Sequence, residues 1–330
     1  MLVMALLLFA CEGDDGQRIE EEIMEIPDGF PEMEFPNDNE YTMARWRLGK
    51  KLFYEPLLSL DSSISCGSCH EQQSAFAVNT ATSAGVMDRP GTRNSPTLAN
   101  VGYAPYYTRE GGVSTLEMQV LVPIQEHNEF GFNILKIENR LKHDSSYQQM
   151  SRTAYQRPFD YFVLTRAIAT FERSLISGHS AYDAFFYSGN SNALTKEEKR
   201  GMDLFFSERL ACSECHGGFN FTDYSFHNNG LYEDYPDPGR FRLTAQSGDV
   251  GKFKVATLRN IARTAPYMHD GSLKTLLDVI EHYNSGGENH KNKNSLIRPL
   301  YLSNTEKQEL VAFLETLTDE KFLNNSNFNK

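Results

Sequence analysis

The sequence predicts a mostly α-helical chain in two domains with long irregular loops. Apolar residues recur at helical spacing in several stretches, and no strand-like alternation stands out. Two Gly- and Pro-rich segments, 78–115 and 217–256, are too long to be ordinary connections, so they read as functional walls. One string, C-x-x-C-H, occurs once in each half: Cys66-Gly67-Ser68-Cys69-His70 and Cys212-Ser213-Glu214-Cys215-His216.

From the N-terminus, Leu6 to Ala10 form a short apolar run ending at Cys11. It reads as a lipoprotein signal peptide, residues 1–11, with Cys11 as the lipid-bearing residue. An ordinary secretory signal with a chance cysteine is the other reading, and both imply export. The run is too short to span a bilayer. Residues 12–39 are rich in Glu, Asp, Pro and Gly and read as a flexible tether. An N-terminal domain is expected over 40–190, with helices at 40–54 and 160–177. A C-terminal domain is expected over 191–323. Its helices start at the capping boxes Thr195-x-x-Glu198 and Ser303-x-x-Glu306, and one at 273–284 stops at Gly286-Gly287. Residues 324–330 read as a frayed tail.

The 330 residues, 40% of them hydrophobic, suffice for two cores. A formal charge of −12 argues against a nucleic-acid partner. C-x-x-C-H is the attachment signature of a c-type haem. The two thiols add to the haem vinyl groups, and the adjacent histidine ligates the iron. Zinc is the alternative for a C-x-x-C pair. The following histidines, the wide separation of the pairs and the exported character all favour haem. Short helices around long loops then fit two cytochrome c-type domains, one covalent haem each.

Several further stretches fall in a fixed order: Leu48–Pro56 (LGKKLFYEP), Arg93–Asn100 (RNSPTLAN), Leu116–Gln119 (LEMQ), Pro123, Glu129–Gly131 (EFG), Thr257–Asn260 (TLRN) and Ala265–Gly271 (APYMHDG). With the two haem strings they resemble the bacterial di-haem cytochrome c peroxidase family, including its methylamine-utilisation (MauG-type) branch. The resemblance runs from Arg45 to Leu317. It implies a peroxide-reactive haem in the N-terminal domain, an electron-transfer haem in the C-terminal domain, and one calcium ion between them.

The resemblance also assigns roles. His70 and His216 become the proximal ligands. Val86 occupies the place of a loop histidine that blocks the first iron in relatives needing activation, so that iron is expected to be open. Tyr283 falls where the second iron takes its other ligand, with Met268 and His282 as alternatives. A phenolate ligand would lower the potential, whereas methionine raises it. Glu129 matches the acid–base group and Gln119 the residue that orients peroxide or water, with His127 as an alternative distal group. Asn94, Thr264 and Pro266 match the calcium shell, and His269 a contact to a haem propionate. The usual tryptophan between the haems is replaced by Arg109, leaving Tyr106 or Tyr107 as possible relays.

Two functions follow as expectations. One is a periplasmic or outer-membrane-tethered peroxidase that reduces hydrogen peroxide with electrons from a small cytochrome c or cupredoxin. The other is a MauG-type oxidase, in which a high-valent di-haem state oxidises residues of a partner protein. A pure electron carrier fits poorly with an open haem beside Glu129. The membrane is reached only through the lipid anchor, and a homodimer is compatible with either reading.

Overall fold

A computed structural model describes residues 24–330. The expected signal peptide, Cys11 and the first part of the tether lie outside the described residues. Each domain is built on one crossed helix pair. In the first, the Met43–Phe53 helix, capped by Thr42, crosses the Tyr161–Arg173 helix, capped by Asp160. In the second, the Lys196–Phe205 helix crosses the Asn304–Glu315 helix, and both open with the capping boxes expected from the sequence.

Both crossings run through a glycine. A Cβ on Gly49 would lie 1.9 Å from the Ala167 carbonyl oxygen, and one on Gly201 would lie 1.8 Å from that of Glu309. Only a missing side chain lets the backbones approach this closely. Around the first crossing pack Trp46, Leu52, Phe53, Phe76, Ile124 and Phe171. Around the second pack Phe205, Phe221, Ile280, Phe313 and Leu317. The remaining chain is loops, short helices and a two-residue antiparallel ribbon pairing Phe226–His227 with Phe253–Lys254. No helix among the described residues is long and apolar enough to cross a membrane.

The two halves repeat each other in detail. Asn100 and Asn260 both adopt left-handed backbone at φ 58°. Each donates its amide to the chain just beyond a core helix, at Leu175 O and Leu317 O. Their side chains meet at Ser177, where Asn100 Nδ2 donates to the carbonyl and Asn260 Nδ2 donates to Oγ, both at 2.9 Å. The two asparagines thus fasten both domains to the linker between them.

Three expectations are corrected. The described part of the tether, 24–39, is packed against the body: Asn39 is fully buried and donates to Glu117 Oε1 at 2.8 Å. Phe30 lies 4.7 Å from the Phe219 ring and equally far from the Arg259 guanidinium. These apolar and amide side chains, sparse in an acidic stretch, decide its course. The tail 324–330 is also docked, because Phe328 is buried against Phe76 and Phe171, and its carbonyl accepts from Tyr54 Oη at 2.6 Å. Finally, the boundary at 190/191 falls inside the second core, which already contains Tyr182, while Phe322 and Leu323 belong to the first core.

Candidate active site

Each C-x-x-C-H string opens into its own cavity, so the two cysteine pairs do not share one metal site. The first cavity, about 420 Å³, is lined by Cys66, Cys69 and His70 together with Gln119, Pro123 and Glu129. The second, about 320 Å³, is lined by Cys212, Cys215 and His216 together with Met268, His269 and Tyr283. The long segments expected as walls supply Ser83–Gly85 and Gly91–Asn94 to the first, and His227, Asn229 and Phe253–Ala256 to the second.

The histidines are prepared as ligands. His70 Nδ1 lies 2.7 Å from the Phe76 carbonyl oxygen, and His216 Nδ1 lies 3.2 Å from that of Phe221. A carbonyl can only accept, so Nδ1 carries the proton and Nε2 keeps its lone pair. Burial holds both rings below the usual histidine pKa, which keeps them neutral. The four cysteines form no disulfide. Two thiols beside a neutral imidazole on an otherwise largely apolar cavity wall fit a c-type haem at each place.

In the first cavity, Gln119 Oε1 is buried with no hydrogen-bond partner among the described residues, an acceptor left for a bound molecule. Glu129 lines the cavity and is solvent-exposed, although neighbouring atoms crowd its carboxyl. Burial first, and Glu126 second, push its carboxyl pKa up. Val86 is fully buried and does not line the cavity; its amide donates to the Glu129 carbonyl at 2.9 Å. The loop that could have carried a blocking group therefore braces the Glu129 backbone. His127 also lies off the cavity, exposed, with Nδ1 3.3 Å from Arg89 Nη1.

In the second cavity, Asn229 contacts all three candidate ligands. Its Nδ2 donates to the Met268 sulfur at 3.3 Å. Its carbonyl lies 3.1 Å from His282 Nε2, and His282 does not line the cavity. Tyr283 does line it, on the Leu276–Ser285 helix that ends at Gly286 with φ 85°. Burial pushes the Tyr283 pKa up, while a hydrogen bond from the Asn229 side chain opposes the shift.

Asn94, Ser95, Pro96 and Arg109 line both cavities and form the wall between them. Arg109 Nη2 donates to the Asn94 carbonyl at 2.7 Å and to Asn94 Oδ1 at 3.2 Å. Burial, then Arg93, pull its pKa down to about 10, so it remains a cation at neutral pH. The calcium expected at Asn94, Thr264 and Pro266 does not fit this donor set, because the side-chain oxygen it needs already accepts from a guanidinium. A divalent ion about 5 Å from that charge would be repelled by about 7 kcal/mol at an effective dielectric of ~20. Tyr106 and Tyr107 are outside both linings, and Trp46 donates to Ser174 Oγ in the first core.

A family model described as di-haem cytochrome c peroxidase matches residues 43–192. The MauG protein of Methylorubrum extorquens is 34% identical over 86% of this chain and 81% of its own length. The cytochrome-c peroxidase IdrP1 of a Pseudomonas species is 30% identical over 88% of this chain and 84% of that protein. The chain belongs to the di-haem cytochrome c peroxidase family. A crystal structure of a MauG-like protein associated with microbial copper homeostasis superposes with a TM-score of 0.88 at 34% identity, covering 92% of this chain and 98% of that one.

Within this member of the di-haem cytochrome c peroxidase family, sequence reasoning missed four residues. Glu172 lines the first cavity, and burial pushes its pKa up to about 8. Arg242 and Leu243, from the C-terminal half, also line that cavity. Asn229 organises the second. A signal for the layout was present: Thr97-Leu-Ala-Asn100 matches Thr257-Leu-Arg-Asn260, and in that register Arg109 falls opposite His269.

Proposed function

We propose that this protein reduces hydrogen peroxide to water in the His70 cavity, with electrons arriving through the His216 domain from a small redox protein. The supporting observation is that an unpartnered Gln119 Oε1 and Glu129, whose carboxyl pKa is pushed up, line one cavity with His70. A haem attached there supplies electron exchange with peroxide. Glu129 accepts the proton from one peroxide oxygen and returns it to the other. Gln119 orients the bound peroxide or water. With two electrons and two protons, each peroxide yields two waters. Export and a lipid tether at Cys11 would place the reaction in the periplasm or at the outer membrane.

A second reading, MauG-type oxidation of a partner protein, is supported by Tyr283, which lines the second cavity while His282 does not and the Met268 sulfur accepts from Asn229. In that reading the partner's aromatic residues supply the electrons. Steady-state peroxide consumption with reduced cytochrome c separates the two. Fast turnover supports the peroxidase; negligible turnover sinks it, and mass changes on a co-purified partner then support the oxidase. Glu129→Gln is expected to slow the reaction of the oxidised protein with peroxide by about 10²–10⁴-fold. An unchanged stopped-flow rate would remove Glu129 from the mechanism.

A further inference from the structure

We infer that the Arg109 guanidinium is the cation of the interdomain seam and stands in place of a bound calcium ion. Arg109 is part of the wall shared by both cavities, which positions one fixed charge beside both haem sites. Three of its contacts go to Asn94: Nε and Nη2 donate to the carbonyl at 3.3 and 2.7 Å, and Nη2 donates to Oδ1 at 3.2 Å. Asn94 is itself fixed, because Nδ2 donates to Thr80 O and its amide donates to His269 O. Its Oδ1 is therefore held toward the guanidinium.

The surrounding carboxylates already have hydrogen-bond or ion-pair partners. Arg93 pairs with Glu110 at 2.5 Å and with Asp237 at 2.5 Å. Asp270 accepts from Tyr232 Oη at 2.5 Å. Lys254 adds a further cation, donating from Nζ to Tyr106 O and from its amide to Arg109 O. Calcium prefers several hard, often anionic oxygens. In the expected set Thr264 and Pro266 would offer backbone carbonyls, and the Asn94 side-chain oxygen is shared with a guanidinium. Arg109 also does what a seam cation must do: it ties Asn94 to the chain that leads into Gln119.

The inference is independent of which electron source the protein uses. The test is metal analysis of the purified holoprotein with both haems attached, before and after dialysis against EGTA, with EPR of each sample. Wild type is expected to hold only background calcium and to give the same high-spin and low-spin signals after EGTA. Arg109→Gln removes the charge and is expected to gain stoichiometric, EGTA-removable calcium; Arg109→Lys keeps the charge and is expected to gain none. Stoichiometric calcium in wild type, or an EGTA-dependent change in its EPR, overturns the inference. So does an Arg109→Gln protein that folds with both haems and takes up no calcium at saturating concentration. Should that variant fail to fold, the wild-type calcium content still decides.

Discussion

A single asparagine, Asn229, holds three groups that compete for one place. Its amide donates to the Met268 sulfur, its carbonyl meets His282, and its side chain hydrogen-bonds Tyr283. A donor to a phenolate stabilises the charged ligand, so Asn229→Leu is expected to shift the reduction potential of the second haem and its low-spin EPR signal. Tyr283→Phe is expected to abolish that signal; an unchanged spectrum would rule Tyr283 out as ligand. Glu172 makes a separate prediction. Its pKa is raised from 4.5 to about 8, so the folded state binds a proton that the unfolded state has released. Stability from this group is fully present below pH 4.5 and is lost as pH rises through about 8. Wild type should therefore lose more thermal stability than Glu172→Gln between pH 5 and 8.5, and parallel melting curves would refute this.

At the scale of elements, both domains depend on one close helix crossing. Gly49→Ala and Gly201→Ala each force a methyl group into a backbone carbonyl of the facing helix. Each should cost about 1–3 kcal/mol, read from thermal or denaturant unfolding. Gly248→Ala, with nothing within 4 Å of the added Cβ, should be near neutral. The helices themselves were legible because their ends carry chemistry. Thr195 with Glu198, Ser303 with Glu306 and the stop at Gly286 all behave as their residue types require. The crossings were not legible, because a glycine inside a helical pattern does not say which carbonyl it will meet.

On the scale of the whole molecule, the two ends of the described chain hold the halves together. Phe328 closes the first core although it follows the second domain, and Phe30 covers the buried Arg259–Asp183 pair. Phe328→Ala should cost about 3–5 kcal/mol and should unfold the first domain preferentially. Loss confined to the second domain, followed by the two haem absorbances, would contradict this packing. Truncation after Leu323 should behave likewise. Segments that composition marks as polar and free can be captured by one or two well-placed aromatics.

The sequence by itself determined the chemistry of attachment. C-x-x-C-H carries its geometry in five consecutive residues, so both haem places, their proximal histidines and the helices with strong caps were readable locally. The order of the flanking motifs also placed Gln119, Glu129 and Tyr283 near them. What only the tertiary structure decided depends on residues distant in sequence. Val86 and His127 turn away from the first cavity because the loops holding them brace each other. Met268, His282 and Tyr283 are all contacted by Asn229, which lies on another segment. Arg109 meets Asn94 Oδ1 only when the 78–115 loop folds back on itself, and the seam cation is assigned on that contact.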